Sequence, residues 1–152
     1  MTVKEVPADR LIRKLAEYLK ENAKELRPPS WAPIAKLGVH KENNPEDPDW
    51  WYVRAASIIR KLAISPEPIG LSTFSVIYGG LKRRGSAPPH FRRATTNHIR
   101  RILQQLERAG LVARTPKGRV LTPRGVSVVS SVVREVFNEL VKERVELAKY
   151  GS

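Results

Sequence analysis

Helix, short helix, capped helix and β-hairpin follow one another in that order along these 152 residues. The order predicts a mainly α-helical fold, a winged helix-turn-helix with a short β-hairpin wing and additional N- and C-terminal helices. Three observations carry the prediction. Apolar residues recur at helical spacing in several long segments. The stretch "LQQLERAGLVARTPKGRVLTPRG" joins a helix ending in Ala-Gly to two short strands around a Pro-Lys-Gly turn. The length suits one domain with its own core and is short for two. Within residues 1–152 the expected divisions are an N-terminal helix and long loop over 1–48, the helix-turn-helix and wing over 49–122, and a C-terminal helix over 123–152.

The first helix is expected over 8–26. Leu11, Leu15 and Leu19 fall on one stripe, Ile12 widens it, and Asp9 sits in the first turn, where a carboxylate favours the positive helix end. "RPPSWAP" ends it, because consecutive prolines cannot continue a helix. A long loop rich in proline and asparagine then leads to Asp49, a plausible N-cap for a second helix through residue 62. Here "PDWWYVRAASIIRK" sets two adjacent tryptophans before an arginine, and neighbouring helical residues diverge by about 100°. Trp51, Ala55, Ile58 and Leu62 share one face, expected to be core. Trp50, Arg54, Ser57 and Lys61 recur on another, which makes Trp50 a member of the polar face unless it packs under the long loop.

A short helix over 71–78 stops at Gly79-Gly80, and an arginine-dense stretch broken by Gly and Pro-Pro follows, read as a loop. Thr95 or Thr96 caps a helix to residue 109, and Gly110 ends it as a left-handed C-cap would. Ile99, Ile102, Leu103 and Leu106 form its inner face. Asn97, Arg101, Gln104 and Arg108 point the other way, with Arg100 on the flank. After the hairpin, Thr122 caps and Pro123 opens a last helix to about residue 149. Its inner stripe is expected to be Val129, Val132, Val133, Val136, Phe137, Leu140 and Val141. A dimer seam is one reading of that stripe. The preferred reading is packing of the first and last helices within one chain, giving a monomer in solution.

A formal charge of +13 favours a polyanionic partner. Residues 68–106 contain no Asp or Glu, whereas a solvated face normally mixes signs. No apolar run approaches the roughly 20 residues of a spanning helix, and "MTVKEVPADR" lacks a signal-peptide core. With no cysteine either, the composition fits the cytoplasm, and no membrane partner is expected. His40, His90 and His98 are scattered without metal-ligand spacing, and "GGLKRRG" lacks the phosphate-loop pattern. No enzyme activity, metal, cofactor or small-molecule substrate is expected.

Taken together, "GVHKE", "DWWYVRAAS", "IYGG", "PPHFRRA", "IRRILQQLERAGLV" and "GRVLTPRG" resemble an archaeal member of the small-subunit ribosomal protein nineteen family of eukaryotes and archaea. The match runs in order over residues 3–136. The resemblance implies binding to ribosomal RNA in the head of the small subunit, contact with other small-subunit proteins, and a part in maturation of that subunit. Carried to matching positions, the RNA-facing residues are Trp50, Arg54 and Arg60 on the central helix and Arg100 and Arg101 on the third. Lys82, Arg83, Arg84, His90, Arg92 and Arg93 lie in the loop between, and Lys117 and Arg119 in the wing. Periodicity alone adds Lys61 and Gln104. Bases spread over two helices, a loop and a wing suit folded RNA, met by shape, phosphates and stacking. A duplex-DNA regulator would concentrate specificity in one helix, and is the alternative reading.

Overall fold

The computed structural model describes residues 3–28, 49–78, 80–84, 87–92 and 96–150; for 80–84, 87–92, Thr96 and 147–150 only the backbone is described. A one-turn 3-10 helix (Val3–Glu5) precedes α1 (Ala8–Asn22), α2 (Trp50–Ile64), α3 (Leu71–Ile77), β1 (Gly80–Arg84), β2 (Ala87–Arg92), α4 (Thr96–Arg108), β3 (Val112–Thr115), β4 (Gly118–Leu121) and α5 (Pro123–Tyr150). Each pair of strands forms its own antiparallel two-stranded sheet. Helices α3 and α4 pack together as the helix-turn-helix, with β3–β4 as the wing.

Leu11, Leu15 and Leu19 of α1 are fully buried, as their spacing predicts. The helix ends at Asn22 rather than at 26. Asn22 donates its side-chain amide to the Tyr18 carbonyl at 3.1 Å, the local competition that makes asparagine a poor helix interior. Leu26 still reaches the core from the irregular chain that follows. Asp49 stands at the N-cap position of α2 but makes no side-chain capping bond. Its two carboxylate oxygens accept from Lys20 Nζ at 3.0 and 3.2 Å, so it ties the start of α2 to α1 instead.

Both tryptophans of α2 are buried, which corrects the placement of Trp50 on a polar face: Trp51 is 0% and Trp50 7% exposed. The cause lies in α4. Trp51 donates its indole N–H to Gln105 at 2.9 Å. Trp50 meets His98 edge-on with ring centroids 5.6 Å apart, and meets Trp51 the same way at 5.3 Å. His98 and Gln105 are seven residues apart, two turns on one side of α4. One neighbouring helix therefore covers two successive residues of α2, and the 100° divergence is absorbed at two levels of it.

The arginine-dense stretch is a hairpin where a loop was expected. Leu81 pairs with Phe91 and Lys82 with His90, the register shifts, and Arg84 pairs with Ala87. Pro88 and Pro89 therefore fall opposite Arg83 in a bulge, a place where missing ladder donors are tolerated. That accommodation hides the strand from a reading based on proline.

Helix α4 ends in a Schellman motif. Gly110, at φ 79°, donates to Glu107 O and Leu111 donates to Leu106 O, both at 3.1 Å. Thr122 Oγ1 donates to Gly110 O at 2.6 Å and accepts from Gly125 N at 3.1 Å, so one hydroxyl caps α5 and pins it to the end of α4. In the wing, Val112 pairs with Leu121 and Thr115 with Gly118. The Ile69 backbone exchanges two hydrogen bonds with Arg119, at 3.1 and 2.8 Å. Gly118 has φ 140°, and a Cβ there would come within 2.6 Å of the Ile69 carbonyl.

Helix α5 lies antiparallel to α1, joined by Arg10–Glu143 and by Lys14–Glu139 at 2.7 Å, as expected for intrachain packing. Its core stripe is Val129, Val132, Val133 and Val136. Phe137 and Val141, expected inside, are 37% and 42% exposed, because at this level the side of α5 turned to α1 is the one that carries Glu139 and Glu143.

Trp51→Ala is expected to cost about 3–5 kcal/mol, and Trp50→Ala a comparable amount. Thermal melts decide; a Trp50→Ala protein with the parent's melting temperature would remove Trp50 from the core. Gly118→Ala should lose more than about 1 kcal/mol, since alanine is strained at this φ and collides with backbone. Burial, reinforced by the Arg54 charge, holds the His98 imidazole below its ordinary value of 6.5. The unfolded chain therefore takes up this proton first, and the stability involved is complete above pH 6.5 and declines as pH falls through that value. Melting curves between pH 7.5 and 5 should show a smaller decline for His98→Gln than for the parent.

Candidate nucleic-acid interface

The inner face of α4, built on Ile99, Ile102, Leu103 and Leu106, is buried, so its opposite face must meet solvent. Asn97, Arg100, Arg101 and Arg108 are exposed there and Gln104 is half-buried. None of these arginines lies within 4.0 Å of a carboxylate among the described residues. Their charge is uncompensated by the fold.

On α2 the polar stripe carries a built arrangement. The Arg54 guanidinium sits 4.1 Å from the centre of the Tyr78 ring, a cation–π contact. The Tyr78 hydroxyl is 2.7 Å from Ser57 Oγ, which fixes the ring beneath the arginine. Burial pushes the Tyr78 hydroxyl up, so the phenol stays neutral at physiological pH. Burial lowers Arg54, with the Tyr78 contact opposing it; guanidinium starts so high that it remains charged. Arg60 is half-buried, and its Nε is enclosed without a hydrogen-bond partner among the described residues. Lys61 is half-buried beside them. Trp50 supports this surface from beneath through His98 and is no stacking platform at its rim.

The wing contributes unequally. Lys117, at its turn, is exposed. Arg119 is held inward, its Nε donating to Glu107 at 2.6 Å and its side chain 13% exposed. This corrects its expected position at an outer contact: it tethers the wing to α4. In the first hairpin the backbone sets Lys82 opposite His90 and Gly80 opposite Arg92, with Arg83 in the bulge and Arg84 opposite Ala87. Arg93 lies outside the described residues.

Two residues escaped the sequence reading. Arg114 is exposed on β3, and strand alternation in "VART" could have found it. Tyr78 reads in the sequence as a helix end; its link to Ser57 and Arg54 of α2, 21 and 24 residues earlier, leaves no periodic signal. Among the described residues no group of three or more His, Cys, Asp or Glu could hold a metal. No described helix is long and apolar enough to cross a membrane.

The family model described as "Ribosomal protein S19e" matches residues 2–139. The small ribosomal subunit protein eS19 of Aeropyrum pernix is 58% identical over 147 residues, 96% of each chain. That of Thermoplasma acidophilum is 37% identical over 99% of each. The protein of the same name from Mya arenaria is 43% identical over 82% of this chain and 83% of its own. The matched residues span the helix-turn-helix and the wing described above, and this chain belongs to the ribosomal protein S19e family.

Proposed function

We propose that this protein is a structural constituent of the small ribosomal subunit, in the cytoplasmic ribosome, where it binds ribosomal RNA. The observation that carries the reading is the set of arginines on α4 left without carboxylate partners among the described residues, together with Arg54 of α2 pre-ordered on the ring of Tyr78 at the end of α3. A face of this kind meets phosphate by charge and an unstacked base or ribose by its planar groups. The enclosed Nε of Arg60 supports the same reading, because a buried donor without a partner is costly until an acceptor arrives. The relatives' names place them in the small subunit.

In this reading Arg54, Arg60, Lys61, Arg100, Arg101 and Gln104 contact RNA directly, and Lys82, Arg83, Arg84, His90, Arg92 and Arg93 extend the contact along the first hairpin. Lys117 reaches it from the wing tip, while Trp50 and Arg119 act by holding these elements in place. The site lies in the head of the subunit, among other small-subunit proteins, and its occupation assists rRNA maturation and assembly. The protein does no chemistry there and is a monomer when free. Distribution over several elements argues against a duplex-DNA regulator.

Arg101→Glu should keep the fold within about 0.5 kcal/mol of the parent, as surface changes usually do. It sets a carboxylate against phosphate, and its incorporation into small-subunit particles should fall sharply, with circular dichroism as the folding control. A folded variant that assembles like the parent would remove α4 from the RNA interface. If that variant also lost a sequence-specific DNA footprint made by the parent, the DNA-regulator reading would replace this one.

A further inference from the structure

Arg54 differs from the arginines of α4 in what it rests on. Arg100, Arg101 and Arg108 are exposed and make no cation–π contact among the described residues. The Arg54 guanidinium sits 4.1 Å from the centre of the Tyr78 ring, and that ring is itself fixed. Its hydroxyl is 2.7 Å from Ser57 Oγ. Phe74 stacks with it, centroids 6.4 Å apart and planes 16° from parallel. Phe74 is fully buried, whereas Tyr78 and Arg54 are half-buried. The three make a series of planar groups that begins in the core and ends at the surface with a cation. No carboxylate lies within 4.0 Å of Arg54 among the described residues. Lys61 follows two turns later on the same side of α2. Trp50, the aromatic that the sequence offers for stacking, is enclosed against His98. The planar group presented at this rim is therefore the guanidinium.

We propose that Arg54 is the stacking platform for one unpaired nucleotide of the RNA, its base lying on the side of the guanidinium turned away from Tyr78 and its phosphate held by Lys61; this rests on the RNA-binding reading above. A guanidinium is flat, delocalised and weakly hydrated, so it can stack on a ring on each side. Burial against Tyr78, which pulls Arg54 below its ordinary pKa, has already removed part of its water. A phosphate needs only charge and N–H groups, which the arginines of α4 offer with no ring beneath them. Fixing the plane of Arg54 benefits only a ligand that is met by its own plane. Paired bases are stacked on one another and closed to such contact, so the ligand is a loop, bulge or end of the RNA and not a regular helix. Every base has a flat face, so the platform holds a nucleotide without selecting its identity.

The test is 2′-hydroxyl acylation of the RNA in small-subunit particles assembled with the full chain, as parent, Arg54→Lys or Tyr78→Leu. Lysine keeps the charge and loses the plane; leucine removes the ring and leaves Arg54 in place. A nucleotide held by stacking acylates slowly. The expected result is that Arg54→Lys raises acylation several-fold at one or two unpaired nucleotides, and that Tyr78→Leu raises it at the same ones. A folded Arg54→Lys chain that no longer enters particles supports the platform too, because its charge is unchanged. Acylation that stays at the parent's level in both variants, or changes only at paired nucleotides, overturns the platform and leaves the ribosomal reading standing. A folded parent chain that never enters the particles overturns both.

Discussion

The side-chain amide of Gln105 holds three parts of the chain at one point. Its oxygen accepts from the Trp51 indole at 2.9 Å and from the Arg27 backbone N–H at 3.2 Å, while its nitrogen donates to the Arg27 carbonyl at 2.8 Å. Thus α4 is locked to α2 and to the chain leaving α1 by a group that satisfies polar atoms the core would otherwise strand. The rotation of α4 about its own axis is set by that contact and, two turns earlier, by His98 against Trp50. Once the rotation is set, the direction of Arg100, Arg101 and Arg108 is set as well. The direction of the basic surface is thus a consequence of a neutral hydrogen bond on the flank of the same helix.

The same economy governs charge. A chain with 28 basic and 15 acidic residues could neutralise more of its surface than it does. Among the described residues its ion pairs lie where elements join: Asp49 with Lys20, Glu107 with Arg119, Glu139 and Glu143 with α1. Exposed pairs contribute little stability, so their value here is in keeping carboxylates away from the arginine faces. The least exposed of them, Glu107–Arg119, converts a wing arginine from surface to joint.

Much of this architecture was legible in the residues. The 3.6-residue periods of Leu11–Leu15–Leu19 and of Ile99–Ile102–Leu106 located α1 and α4, and Gly110, Thr122 and Pro123 marked ends that the structure keeps. What stayed hidden depends on partners distant in sequence. Periodicity assigns one buried direction to each helix, so it could not know that α4 covers α2 at both Trp50 and Trp51. Propensity reads Pro88-Pro89 as loop, and only the register shows a bulge that accepts them. Within the candidate site the outward arginines of α4 were legible. The inward turn of Arg119 and the ring under Arg54 were not, since Glu107 and Tyr78 lie on other elements.

The clasp between Thr122 and Gly110 separates the wing from the rest of the molecule in a particular way. The chain leaves α4 and returns to start α5 at nearly the same spot, 2.6 Å apart, and the Ile69–Arg119 bridge grips β4 from the side. Everything beyond those two grips is a loop whose ends are already closed. Lengthening such a loop costs little, since each doubling adds only about 0.6 kcal/mol. Residues inserted in pairs at the Pro116-Lys117 turn would keep the inward and outward sides of the ladder in phase. The tip is thus the part of this fold that evolution can lengthen or shorten without moving a helix, so the reach of the wing can be adjusted independently of the surface beneath it.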